Sequence, residues 1–315
     1  MIRAFRELRG VVLAFGAMLA LMLATTAGAG SGATAAEPVG EIWRVGADGR
    51  GLRAVTVSVS ELDGRPSWSP DGRKIAFARS VDGSLVGIFV LAMSSAGERN
   101  WTITERKLHV RGDAPAYSPD GRRIAFSKTV GWLENARGGI YVMNADGRSA
   151  HRLTRGLNDD YPAWSPDGRR IAFTRGTLED NAEIYVMNAD GSGVRRLTRH
   201  PAADSSPSWS PNGRRIVFKR DESRSGDGGD ICVLKSSGGG ARCISRDQAA
   251  DSGPAWSPDG RRIAFSRYFE ASQSIYVMNT DGSRVRRLTK PGRELIDTSP
   301  AWSPDGLWIA FSRVD

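Results

Sequence analysis

Two patterns of apolar and polar positions alternate along the chain from residue 42 to the end. The first runs proline, small residue, aromatic, a Ser-Pro-Asp-Gly or Ser-Pro-Asn-Gly turn, then an apolar stretch. Its copies are PSWSPDGRKIAF from Pro66, PAYSPDGRRIAF from Pro115, PAWSPDGRRIAF from Pro162, PSWSPNGRRIVF from Pro207, PAWSPDGRRIAF from Pro254 and PAWSPDGLWIAF from Pro300, at intervals of 45 to 49 residues. The second runs Ile-aromatic-Val, a Gly turn and an apolar-Thr ending, as in IYVMNADGSGVRRLT from Ile184; its copies begin at Ile42, Ile88, Ile140, Ile184, Ile231 and Ile275, the fifth reading ICV. Each predicts a β-hairpin. Ser-Pro-Asp-Gly suits a type I turn, where proline presets φ and glycine takes the left-handed exit. Asp-Gly or Ser-Gly between alternating segments is the strongest short-range hairpin signal.

Two hairpins make four strands, and a four-stranded unit of this length cannot bury both of its faces alone. Its copies must pack face to face around an axis, as the blades of a β-propeller do. The chain opens on an orphan second hairpin, 42–57, and ends on an orphan first hairpin, 300–314. Together they complete a sixth blade. The expectation is an all-β, six-bladed β-propeller with four-stranded blades, closed by a composite blade of N- and C-terminal strands and spanning 42–315. Trp68, Tyr117, Trp164, Trp209, Trp256 and Trp302 hold the same place in each repeat; packing between blades accounts for them, since large aromatics supply much of the buried area there.

The first 36 residues follow other rules. Arg3, Arg6 and Arg9 precede the apolar run from Val11 to Ala24 and the small-residue stretch TTAGAGSGATAAE. This is the layout of a secretory signal peptide, 1–36, with cleavage after Ala36 or, alternatively, Ala27. A retained membrane anchor is the competing reading, against which Gly16 and the Gly/Ala tail weigh; no Cys lies near for a lipid anchor. Residues 37–41 would be a short linker. Loss of the leader takes the formal charge from +9 to +7. The basic balance suggests nucleic acid, but export makes that partner unexpected, and a monomer with no transmembrane anchor after cleavage is anticipated in the periplasm or outside the cell. Three His (His109, His151, His200) and two Cys leave a zinc finger or His-rich metal centre without ligands.

The SPDGRRIAF and IYVMNADG…RRLT pair resembles the TolB-type, WD-repeat-like propeller family over roughly Glu41 to Asp315. The resemblance implies a rigid scaffold that receives a partner at the mouth of its channel. The family's namesake also carries an α/β domain before the propeller, and contacts through such a domain are not carried over here. A Gly-x-Ser-x-Gly nucleophile elbow and a phosphate-binding Gly-Lys-Ser/Thr loop are both missing from the sequence. The expected activity is therefore binding without catalysis and without a cofactor.

Propeller geometry puts the turns within both hairpins on one face and the connections between hairpins on the other. The turn face carries Arg73-Lys74, Arg122-Arg123, Arg169-Arg170, Arg214-Arg215 and Arg261-Arg262. A basic face of this kind attracts anionic polymers or membrane surfaces, unless nearby Asp residues and salt dilute its field. The opposite face carries loops of varying length, among them Trp132 in GWLENARGG and an acidic group, Asp221, Glu222, Asp227 and Asp230, whose spacing matches no calcium-loop pattern. Three residues before the inner-strand proline lie Asp63, Asp159, Asp204, Asp251 and Asp297, with Asp113 one place later in the second repeat. These carboxylates are expected to ring the channel mouth, capping turns and accepting a Lys, Arg or N-terminal amine of a partner protein segment. The alternative is a metal-dependent enzyme acting on an envelope polysaccharide or peptide through the same ring. Finally, with Ser237-Gly238 as a two-residue turn, Cys232 and Cys243 fall directly opposite one another, and export to an oxidising compartment predicts a disulfide.

Overall fold

The apolar run of the first motif is buried on both of its faces. Ile75, Ala76 and Phe77 expose no surface, and neither do Ile171, Ala172 and Phe173 or Ile263, Ala264 and Phe265. Neighbouring residues of a strand point to opposite faces, so three consecutive buried residues demand cover on both sides, which one sheet cannot give itself. The computed structural model describes residues 40–314 except 57–60, 82–83, 96–100, 131–136, 156–157, 177–180, 223–228, 246–248, 270–271 and 293–294. In it the cover comes from flanking blades. Trp209 and Ile216 of the fourth blade, for example, share a core cluster with Ile184, Val186 and Leu197 of the third.

The described strands fall into six antiparallel four-stranded blades, and no helix occurs among the described residues. The third blade shows the plan: Asp159–Trp164, Arg170–Arg175, Glu183–Asn188 and Arg195–Arg196 pair in that order from the axis outwards. Five of the six outermost strands are only two residues long; the first blade's runs from Trp101 to Lys107. Short outer strands leave little unpaired edge. Within the blades, the buried phenylalanine of the second strand stacks on an aromatic of the third, as in Phe173–Tyr185 with centroids 5.8 Å apart. The closing Thr of the second motif returns to its start: Ile184 N–H donates to Thr198 Oγ1 at 3.0 Å, and the contact recurs at Ile42–Thr56, Ile140–Thr154 and Ile275–Thr289.

The sixth blade is the composite one. Ile296–Trp302 and Trp308–Val314 come from the end of the chain, and Gly40–Gly46 pairs with the latter in unbroken antiparallel register from Gly40↔Val314 to Gly46↔Trp308. Adjacent turns also meet around the whole circle. A methyl group on Gly121 would lie 3.5 Å from Pro70, and the same approach is found at Gly168–Pro119, Gly213–Pro166, Gly260–Pro211, Gly306–Pro258 and, across the junction of the termini, Gly72–Pro304.

The aromatic after each inner-strand proline sits at a seam between blades. Trp164 Nε1–H donates to the Ala116 carbonyl at 3.1 Å, Trp209 to Ala163, Trp302 to Ala255, and Trp68 to Ala301 across the terminal junction. An arginine of the preceding blade covers the ring: Arg123 over Trp164, Arg170 over Trp209 and Arg262 over Trp302, each 4.7–4.8 Å from the centroid. In the second blade Tyr117 takes this place; burial pushes its hydroxyl up to about 12.

Cys232 and Cys243 are register partners and form a disulfide. In the second, third and fifth blades the same two positions hold a tyrosine opposite an arginine, Tyr141↔Arg152, Tyr185↔Arg196 and Tyr276↔Arg287. The fourth blade therefore has a covalent link where those blades have a Tyr–Arg register pair. Among the described residues no helix is long and apolar enough to cross a membrane.

Deleting Pro300 to Asp315 should remove Trp308–Val314 and the end of Ile296–Trp302 from the composite blade and expose the faces that flank it. The truncated chain is expected to lose cooperative unfolding in a thermal melt; an unchanged melting temperature in a monomeric product would show that the termini do not close the ring. Thiol titration of the unfolded, unreduced protein should find no free thiol, and reduction should lower stability by no more than about 3 kcal/mol, the chain-entropy value for a short loop. Two titratable thiols per chain would remove the link.

Candidate functional site

Each inner strand breaks its register just before the proline. The pairing slips between Gly64 and Ser67 in the first blade, and likewise between Asp113 and Ala116, Asp160 and Ala163, Ser205 and Ser208, Ser252 and Ala255, and Thr298 and Ala301. The residue preceding proline stands in the left-handed region in all six: Arg65, Ala114, Tyr161, Ser206, Gly253 and Ser299, with φ between 45° and 56°. This conformation costs a non-glycine residue roughly 1–2 kcal/mol, and only the fifth blade relieves it with glycine. A bulge bends its strand and re-aims side chains. Here it sorts two sets of groups, one turned into the blade and one turned to the axis.

The Asp residues at the third position before proline belong to the first set. Asp63, Asp159, Asp204, Asp251 and Asp297 are almost wholly buried, none exceeding 2% exposure. Each holds an arginine of the second strand through two hydrogen bonds. Asp63 accepts from Arg79 Nε and Nη2 at 2.6 and 2.8 Å, and the pattern repeats at Asp159–Arg175, Asp204–Arg220, Asp251–Arg267 and Asp297–Arg313. The arginine also lies over the stacked aromatics, Arg175 being 5.2 Å from the Phe173 centroid and 5.0 Å from that of Tyr185. Burial raises the Asp63 and Asp204 carboxyls, with the arginine bonds acting against it. Burial would lower the Arg79 and Arg220 guanidinium groups, but their carboxylate partners more than reverse it. The cation expected from a partner is thus supplied by the chain itself.

Only the second blade departs from this plan. Gly112 stands where the Asp would be, and a Cβ there would come within 2.4 Å of the Phe126 ring; the arginine position holds Lys128, whose ammonium lies 5.7 Å from the Tyr141 centroid. The carboxylate moves one residue on, to Asp113, and so to the axis. There Arg65 of the first blade reaches the second and third blades together. Its Nη1 is 2.6 Å from Asp113 Oδ2 and 3.5 Å from Asp160 Oδ2, its Nη2 donates to the Tyr161 hydroxyl at 2.9 Å, and its Cζ is 4.5 Å from the Tyr161 ring centroid. The other carboxylate oxygens accept backbone N–H groups, Asp113 from Ala114 and Asp160 from Tyr161, both at 2.7 Å. Burial raises the Asp113 carboxyl, Arg65 lowers it and Asp160 raises it again, leaving it above the ordinary 3.8. Arg65 pulls the Tyr161 hydroxyl down, but burial and the two carboxylates together push it further up. Two carboxylates thus share one guanidinium, and both remain about one-third exposed.

Of the six carboxylates picked out by sequence, five lie inside the blades and only Asp113 faces the axis. Arg65, Asp160 and Tyr161 were not picked out, although the second repeat's double departure, Gly112 and Lys128 in place of Asp and Arg, is visible in the sequence. Trp132 and Asp227 lie outside the described residues. Asp221 is buried against Lys219, with 3.0 Å between charged atoms, and Ser245 Oγ lies 3.4 Å from Asp230 Oδ1. Among the described residues no group of three or more His, Cys, Asp or Glu side chains is placed to hold a metal. His109 and His151 are exposed, and the half-buried His200 accepts the Ala202 N–H at its Nδ1.

Replacing Asp204 with Asn should leave the Arg220 guanidinium buried beside a neutral amide and cost about 3–5 kcal/mol, the scale of breaking a buried pair from one side. Replacing Asp113 with Asn should cost under about 1 kcal/mol, since its partner is partly exposed. Urea unfolding of the two variants measures both; equal stabilities would mean that the inner pairs do not hold the blades.

The fold recurs among solved structures. The chain matches a protein assigned as TolB from Agrobacterium tumefaciens at 25% identity, covering 89% of this chain and 99% of that one, with a TM-score of 0.69. TolB from Acinetobacter baumannii matches at 23% identity, over 84% of this chain and 66% of that one, with a TM-score of 0.64. An oligogalacturonate lyase in complex with manganese shares the fold alone, at 13% identity over 78% and 70% of the two chains, with a TM-score of 0.52. No curated protein matches the chain in sequence. The family model for the TolB beta propeller domain matches residues 41–177, 159–252 and 230–313, so the chain belongs to the TolB β-propeller family.

Proposed function

We propose that the protein is an exported, non-catalytic binding module of the cell envelope or extracellular space, a monomer that receives a protein segment at its channel mouth. The basic group of that segment, a Lys, an Arg or an N-terminal amine, enters beside Arg65 and takes up the carboxylate charge that one guanidinium leaves over. The observation that carries this reading is the cluster of Asp113, Asp160, Tyr161 and Arg65, in which two partly exposed carboxylates share one cation at the axis. The likeness to TolB structures and the signal-like first 36 residues support it. The five buried Asp residues serve the site indirectly, by fixing the inner strands that carry it. Trp132, on a connection of the same face by sequence, is a further contact for the segment.

The test is capture from the organism's own envelope extract, with wild type and an Asp113→Asn, Asp160→Asn variant as baits. A partner retained by wild type should bind the variant at least tenfold more weakly, with both baits melting alike. Because the Asp113 carboxyl is held above 3.8, capture should already decline as the pH falls towards that value from above. Equal capture by the two baits would exclude the cluster as the entry point. A stoichiometric divalent ion in the purified protein, removed by EDTA together with a hydrolytic or lyase activity, would replace the binding reading with an enzymatic one.

A further inference from the structure

The face opposite the channel mouth carries a second, unrelated arrangement. In each Ser-Pro-Asp-Gly turn the aspartate is exposed and bonded within the turn itself. Asp120 Oδ1 accepts the Ser118 hydroxyl at 2.5 Å and the Arg122 N–H at 3.1 Å, and Asp71, Asp167 and Asp259 do the same in their turns. Serine bonding, with help from the backbone N–H, holds the Asp71, Asp120 and Asp167 carboxyls below the usual range. The two basic residues that follow have different fates. The second covers the next blade's Trp in three of the blades. The first, Arg73, Arg122, Arg169, Arg214 and Arg261, is exposed in every case, and among the described residues none of these five guanidinium groups has an ion-pair or hydrogen-bond partner. Because adjacent turns touch, glycine to proline, around the circle, the five form an evenly stepped ring on one face.

The sixth place in that ring is held by Leu307, the most exposed of the large apolar side chains at 62%. Three more exposed aliphatics, Leu52, Val194 and Val285, follow the second-hairpin turns on the same face, each directly before an arginine: Arg53, Arg195 and Arg286. Unpaired cations alone would suit any polyanion. Isolated aliphatic side chains standing out among them suit a surface with an anionic face and an apolar interior.

We propose that the turn face is a docking surface for an anionic phospholipid membrane, the arginine ring meeting the phosphates and Leu307, with Leu52, Val194 and Val285, entering the headgroup boundary. This goes beyond the partner site at the channel mouth and uses the opposite end of the same axis, so that the protein lies on the bilayer with its mouth turned away from it.

Sedimentation with vesicles tests it, using the chain from Glu37 onward, the expected product of leader cleavage, so that the apolar run from Val11 to Ala24 does not itself carry the binding. At about 0.1 M salt the protein should pellet with phosphatidylcholine vesicles that contain phosphatidylglycerol and not with phosphatidylcholine alone. Replacing Arg73, Arg122, Arg169, Arg214 and Arg261 together with Gln should weaken binding about a hundredfold or more, on the scale of one favourable contribution per basic residue near an anionic surface. Leu307→Gln removes the apolar side chain and keeps the net charge; it should weaken binding severalfold and make what remains more sensitive to salt. Unchanged binding by the Gln variant overturns the proposal. So does a soluble polyanion such as polyphosphate binding as tightly as the vesicles with no effect of Leu307→Gln, which would make the face a polyanion site. Loss of capture at the channel mouth leaves these results untouched, so the two readings fail separately.

Discussion

A strand that is apolar on both faces cannot finish folding inside its own sheet, and everything else in this molecule follows from that constraint. Phe77, Phe126, Phe173, Phe218, Phe265 and Phe311 are all fully enclosed, each between its own blade and the one before it. No blade is complete until a neighbour is present, and the last neighbour of the sixth blade is the first. The seams then acquire their own chemistry: a Trp indole that donates to a carbonyl across the gap, an arginine laid over its ring, and a turn glycine pressed on a proline. Closure by the two ends of the chain is what turns six marginal sheets into one cooperative unit.

Inside each blade the buried ion pair does a narrower task. An Asp on the inner strand and an Arg on the second, with that Arg lying over two aromatic rings, fix three strands relative to one another. Such pairs give up hydration, and the attraction between their charges repays it only where the geometry is close. The two-bond contact recurs in five blades with little variation in distance. Where it is absent, the geometry gives the reason: Phe126 fills the space at Gly112, lysine replaces arginine, and the displaced carboxylate of Asp113 turns to the axis. The cluster at the axis arises from this one irregular repeat.

The two ends of the axis therefore differ in chemistry although they are built from the same repeats. At the mouth, carboxylates outnumber the one guanidinium that reaches them. On the turn face, the exposed aspartates are bonded within their own turns, and exposed arginines and a few aliphatic side chains stand beside them. Repetition produces the basic face, because every turn needs the same residues; departure from repetition produces the acidic cluster.

The sequence alone determined the strands, the Ser-Pro-Asp-Gly turns, the six-fold count, the composite blade and the opposition of Cys232 and Cys243, although the turn joining the two Cys strands centres on Ser236-Ser237, with Gly238 N–H donating to the Lys235 carbonyl, and not on Ser237-Gly238. All of these rest on local turn chemistry and on a repeat period, which a linear reading can see. It also marked the carboxylates before each inner proline but could not say where they point. Asp204 and Arg220 are 16 residues apart, and the bulge that brings them together shifts the register by an amount no alternation of polar and apolar residues records. Arg65 meets partners 48 and 96 residues away, in two other blades, because the ring brings them to the axis. Which charges are satisfied inside a blade and which are left at the mouth is set by packing across the circle, and only the tertiary structure decided it.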